Sequence, residues 1–230
     1  TSYETNTAFG ESIGAFEQFL NEFPNSKHAD KAKSYLALEY MSTNNYEVAY
    51  QSIQRIAKPT NEILEAKQYV LYQLGTEAFA QQQYAKAVEY FSLSINAILS
   101  GKYLAESYFW RSESYYRLGK NENSINDLKR YFAQPNVRNS SNYIQAHYAM
   151  GYAYFSQQSY QSARSYFEQF TNLTPNKRSD IFADALNRIG DCYFDDRNFQ
   201  QAELTYTRAA NLSPNTGDYA LFQSGYVAGL

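Results

Sequence analysis

Side chains able to move a proton, attack an electrophile or ligate a metal are sparse in this sequence and far apart. The 230 residues include two histidines, His28 and His147, and one cysteine, Cys192. A reactive thiolate needs a neighbouring base or cation to lower its pKa. A histidine acts as general base only within hydrogen-bond reach of the group that it deprotonates. The spacing developed below puts His28 in a turn, His147 at a packing position between helices, and Cys192 on an apolar helix face with no histidine near it. Asp191, Asp195 and Asp196 offer oxygens to a divalent cation, but Asp191 and Asp195 read as an i, i+4 pair on a solvated helix, and the spaced ligands of a calcium-binding loop are absent. Neither catalysis, a metal nor a cofactor is expected. Asn172-Leu-Thr and Asn211-Leu-Ser have the form of glycosylation acceptors, yet they stand 39 residues apart at one place in a repeat, so repetition accounts for them.

The chemistry in good supply is aromatic contact, with 24 Tyr and 15 Phe. The stretch 183–214 shows what positions these rings. Leu186, Ile189, Gly190 and Tyr193 recur at helical spacing, Asp196 to Asn198 form a polar turn, and Phe199, Ala202, Tyr206 and Ala209 resume the period. Two apolar stripes on consecutive helices must meet. The small residues fall where the helices approach most closely, and Pro214 is expected to stop the second helix.

The same grammar runs through the chain. An aromatic residue after a polar turn, with a small residue three positions on, occurs at Phe9/Ser12, Tyr46/Ala49, Tyr84/Ala87, Tyr160/Ala163 and Phe199/Ala202, with Asn121/Ser124 at the remaining site. The steps are 37, 38, 37, 39 and 39 residues, and the repeats close on Pro24, Pro59, Gly101, Pro135, Pro175 and Pro214. A register held this long specifies stacked helical hairpins.

This pattern resembles the tetratricopeptide repeat, with Leu186 in place of the usual Trp. The resemblance implies an all-α, right-handed superhelical solenoid of antiparallel hairpins. Its divisions are an orphan second helix at 8–24, hairpins at 29–59, 63–101, 103–135, 143–175 and 181–214, and the start of a further repeat at 217–230, where Ala220, Leu221 and Gly225 echo Ala185, Leu186 and Gly190. A polar start at 1–7 is expected to fray, and the unmatched helices suggest a fragment of a longer protein. The third hairpin departs most, with Arg111-Ser112 for the apolar-Gly pair and Leu128 for the aromatic residue. The phrase F-x-x-F-x-x-x-F-P-N-S at 16–26, followed by an Ala-rich helix, looks like repeats of Gram-negative cell-envelope proteins, namely the outer-membrane assembly lipoprotein and the periplasmic partner of the Tol-Pal system. A periplasmic or envelope location follows as an expectation.

A net charge of −3 with scattered Lys and Arg gives no footprint for nucleic acid, and no apolar run is long enough to insert in a membrane. In the resembled family, positions 2, 5, 9 and 12 of each first helix line the concave groove. The rings mapped there are Tyr69, Tyr72 and Phe79, then Phe109 and Tyr116, then Tyr148, Tyr152 and Phe155; Asp191 and Phe194 follow at an acidic end shared with Asp184 and Asp195. Tyr and Phe are rigid anchors for a partner. The expected function is therefore a non-catalytic scaffold that binds a peptide or helix of a partner protein. A carbohydrate-binding accessory domain, argued against by a single Trp110 outside the mapped groove, and a structural spacer are the alternatives. The family's Lys/Asn/Arg clamp for a chaperone-tail carboxylate finds no match at Ser34/Leu38, Tyr72/Thr76, Phe109/Glu113, Tyr148/Tyr152 or Asn187/Asp191.

Overall fold

The computed structural model describes residues 2–97, 101–212 and 214–229. Every extended element among them is a helix: α1 (Ser2–Glu22), α2 (Ala29–Ser42), α3 (Tyr46–Gln54), α4 (Asn61–Ala80), α5 (Tyr84–Asn96), α6 (Leu104–Arg117), α7 (Asn121–Phe132), α8 (Tyr143–Ser156), α9 (Tyr160–Leu173), α10 (Asp180–Asp195), α11 (Phe199–Ala210) and α12 (Pro214–Ala228). Single 3₁₀ turns occupy Gly101–Tyr103 and Val137–Asn139. The chain divides into two units, Thr1–Ser114 and Tyr115–Leu230. The division falls inside α6, in the repeat whose sequence departs furthest from the others.

In the first unit α2 packs on α3, α3 on α4 and α4 on α5, with α1 against α2. Its core centres on Ala49, Ile53, Ile63, Val70 and Leu74, followed by Ala78, Ala87 and Phe91. In the second unit α7 packs on α8, and each helix from α8 to α12 packs on the next. Phe167, Phe170, Phe182, Leu186 and Cys192 form its centre.

The glycines of the repeat explain the closeness of the pairs. A Cβ added to Gly75 would lie 2.6 Å from the Phe91 ring, one on Gly151 2.7 Å from Phe167, and one on Gly190 2.6 Å from Tyr206. A methyl group cannot occupy those points while the ring stays. In the hairpin α2–α3 the same two registers hold Ala37 and Ile53, both buried in one core. A bare glycine thus goes with a flat ring, and a methyl-bearing residue with a branched aliphatic one. Ser112 and Leu128 hold these registers in the repeat that the division crosses, whereas Gly225 of α12 has open space beside it.

Each hairpin turn is closed in one way. Asn44, Gln82, Gly119, Gln158 and Arg197 take φ between 57° and 71°. The following amide then reaches back over the last turn of the first helix: Asn45 to the Tyr40 carbonyl, Gln83 to Ala78, Lys120 to Tyr115, Ser159 to Tyr154 and Asn198 to Tyr193, at 2.8–3.0 Å. This six-to-one bond around a residue in the left-handed region is the Schellman helix stop, which caps otherwise orphaned carbonyls. Thr60 and Ser179 cap the N-termini of α4 and α10 by accepting from the N–H of Ile63 and Phe182.

Two details differ from the sequence reading. The polar segment expected to fray is helical from Ser2, because α1 continues through it; Thr1 lies outside the described residues. Pro214, expected to stop a helix, opens α12 instead, while α11 ends at Ala210. The absent N–H of proline is harmless in a first turn, where it would have no partner. Ile98, Ser213 and Leu230 lie outside the described residues.

Candidate functional site

The first unit gathers its rings on one side of α4. Tyr69 and Tyr72, three residues apart, both meet Tyr103, at centroid distances of 5.2 and 5.5 Å. Tyr103 sits in the 3₁₀ turn before α6, outside the mapped set. Phe79 meets Trp110 at 5.1 Å and Tyr84 at 5.4 Å. Trp110, placed outside the groove by its register, thus packs on Phe79, a residue mapped to it: it follows Phe109 and points to the neighbouring first helix. Phe109, expected to line the groove, is 2% exposed and meets Trp110 edge-on at 5.3 Å. It is floor rather than contact surface. Burial first, then the Glu106 carboxylate, hold the Tyr72 phenol above its ordinary pKa. Beside these rings a cavity of about 300 Å³ opens between α2, α4 and the 3₁₀ turn, with Leu38, Met41, Tyr69 and Tyr103 among its walls.

In the second unit the sequence-mapped residues come together differently. Tyr116 meets Tyr152 at 6.4 Å, and Tyr152 meets Tyr148 at 4.9 Å. The hydroxyls of Tyr148 and Tyr152 both donate to Asp184 Oδ2, the former at 2.7 Å. Asp191 Oδ1 accepts from Tyr206 at 2.7 Å and from Tyr219 at 2.6 Å. Arg188 links the two carboxylates, with Nη1 2.7 Å from Asp191 Oδ2 and Nε 3.8 Å from Asp184 Oδ1. Its guanidinium also lies over the rings of Phe155, at 5.5 Å, and Tyr219, at 5.1 Å.

The acidic end expected to be solvated is therefore a bonded network, and of Asp184, Asp191 and Asp195 only Asp195 stays exposed. Asp184 meets phenols of the preceding first helix, α8, and Asp191 meets phenols of its own hairpin partner α11 and of the following helix α12. Burial foremost, and then the adjacent carboxylates, push the Tyr148, Tyr152 and Tyr206 phenols well above the ordinary tyrosine range. They remain hydrogen-bond donors at every physiological pH. Phe194 stands apart from the network, against Phe199 at 5.5 Å and Tyr226 at 6.0 Å. Asn187, also mapped to the groove, is buried.

The groups singled out for chemistry are dispersed. Cys192 is fully buried and its thiol is pushed up to about 12, chiefly by burial. His147 is 4% exposed, packed against Phe132, Tyr143 and Tyr166 at 4.7, 5.0 and 6.1 Å. Neither of its ring nitrogens has a hydrogen-bond partner. Its register is that of Leu186, one repeat later, which is a core position. Asp196 pairs with Arg164. Among the described residues no group of three or more His, Cys, Asp or Glu could hold a metal ion, and no helix is long and apolar enough to cross a membrane.

The tetratricopeptide repeat family matches residues 111–181 and again 148–216. These two overlapping matches cover α7 to α11 and the hairpins with the glycine–ring pairs Gly151/Phe167 and Gly190/Tyr206. No curated protein matches the chain. The fold is that of solved tetratricopeptide-type helical solenoids. YrrB is 18% identical with a TM-score of 0.61, the alignment covering 94% of this chain and 98% of that one. BtubC from P. vanneervenii is 16% identical with a TM-score of 0.59, over 90% of this chain and 88% of that one. MamA is 16% identical with a TM-score of 0.57, over 84% of this chain and 97% of that one.

Proposed function

We propose that the chain is a non-catalytic scaffold that binds a peptide or helix of a partner protein on the aromatic sides of its first helices. The observation that carries this reading is the cavity of the first unit, which Leu38, Met41, Tyr69 and Tyr103 line with half-buried apolar surface. Preformed apolar clefts lined by a few rigid rings are typical docking sites. The tetratricopeptide match supports a protein partner, and YrrB, a structural neighbour, is described as having an unusual peptide-binding site. In the second unit Tyr116, Tyr148, Tyr152 and Phe155 supply ring surface, while the hydroxyls of Tyr148 and Tyr152 are engaged by Asp184. The indole of Trp110 meets Phe79 at 64°, edge to face; it is engaged in packing and lends no weight to a sugar platform. A cell-envelope setting belongs to this proposal on the strength of the 16–26 phrase alone.

The test is capture from a lysate on immobilised chain, wild type beside Met41→Glu/Tyr103→Ala, read by mass spectrometry. A partner held only by the wild type, with equal helicity in both proteins, supports the reading. Equal recovery by both, or no recovery by either, counts against it.

A further inference from the structure

We infer that the cavity of the first unit selects a cationic peptide, one in which an aliphatic anchor such as Leu or Met is flanked by Lys or Arg. This rests on the protein-binding reading above and specifies its ligand.

Helix α4 gives the cavity its polarity. Glu62, Glu65, Ala66 and Tyr69 all line it, and their i, i+3, i+4, i+7 spacing puts them on one helix face. The two carboxylates are exposed in the first turns, and Tyr69 is half-buried one turn further on. The cavity therefore runs from an anionic rim to an apolar interior. Leu38 and Met41, three apart on α2, form the opposite wall; Met is unbranched and adapts to different anchors.

The third side is fixed by stacking. Tyr103 lies against both Tyr69 and Tyr72, at 5.2 and 5.5 Å. Among the described residues Lys102 is the one cation of the lining, and its ammonium lies 5.3 Å over the Tyr103 ring. Two carboxylates against one ammonium leave the rim with an excess negative charge. An acidic peptide meets repulsion there, and a basic one meets complementary charge, which raises association rate and selectivity more than raw affinity. The volume of about 300 Å³ is at the small end for ligand pockets. It suits one side chain with its flanking backbone rather than a broad protein surface.

The test is fluorescence anisotropy of the full chain with labelled dodecapeptides on a Gly/Ser background. Each carries one central Leu and either two Lys, two Glu or two Ser at varied distances from it. The Lys series should bind about five- to tenfold tighter than the Ser series, and tighter still than the Glu series, with the difference shrinking at high salt. Glu62→Lys/Glu65→Lys should invert the order, and the milder Glu62→Gln/Glu65→Gln should level it. Leu38→Glu should abolish binding of every series. Equal binding of the three series, or tighter binding of the Glu series, would overturn the inference while leaving a peptide site in place. Absence of binding by all series also overturns it; the protein-binding reading then stands only if lysate capture still depends on Met41 and Tyr103.

Discussion

Tyr206 donates its hydroxyl hydrogen bond to Asp191 at 2.7 Å within the hairpin α10–α11, while its ring covers Gly190. One side chain thus joins two helices by packing and by polarity. Removing the hydroxyl in Tyr206→Phe leaves Asp191 with Tyr219 and Arg188, and should cost about 1 kcal/mol in urea unfolding. Asp191→Ala leaves Arg188 with Asp184 alone and takes the acceptor from the buried Tyr206 hydroxyl as well as from Tyr219, and should cost more, about 2–3 kcal/mol. Similar losses from the two variants would mean that the carboxylate is solvated.

Alkaline pH should unfasten the second unit. The Tyr148, Tyr152 and Tyr206 phenols are held above their ordinary value, by burial first and by Asp184 or Asp191 next. The unfolded chain releases these protons near pH 10 and the folded chain only at higher pH. Stability is therefore level below about pH 10 and falls as pH rises beyond it. Thermal melts from pH 8 to 12, alongside tyrosinate absorbance, measure this, and Tyr148→Phe should flatten the slope.

His147 predicts the opposite edge of the pH range. Burial among three aromatic rings lowers its pKa below the ordinary 6.5. Because the unfolded chain accepts the proton more readily, the contribution of His147 is complete above about pH 6.5 and is lost as pH falls through the folded-state value. His147→Leu, which installs the residue type found at Leu186, should remove that dependence below about pH 6.5. An unchanged slope would assign acid sensitivity to other groups.

Glycines at one register should respond to alanine with opposite signs. Gly151→Ala gains about 1 kcal/mol of helix propensity but forces Phe167 aside, and overpacking costs about 1–3 kcal/mol. It should be neutral to destabilising, and Phe167→Leu should relieve the clash, making the double variant less unstable than the sum. Gly225→Ala meets nothing within 4 Å and should stabilise by up to about 1 kcal/mol. Equal effects at both positions would refute the contact account.

The hairpins were legible because each leaves a doubled 3.6-residue period with small residues at fixed places, and the glycine–ring pairs follow from that spacing. The polar network was not legible. Tyr148 and Asp184 are 36 residues apart, and nothing local distinguishes a carboxylate facing phenols from one facing water. The packing position of His147 was legible, because its register is that of Leu186 one repeat later. Tyr103 and Trp110 were missed because one precedes its helix and the other is off the groove register. Four of the five αL turn residues are not glycine, so the helix stops gave little sign of themselves.

The glycine–ring pairs also constrain how such a sequence can drift. From Gly151 with Phe167, or Gly190 with Tyr206, the passable route to the Ala37/Ile53 arrangement shrinks the ring first and adds the methyl afterwards. The reverse order passes through an intermediate with two groups in one place. In the opposite direction the methyl must be lost before a ring can be gained. Each hairpin can exchange one packing style for the other, but the order of the two steps is set by a gap of less than 3 Å.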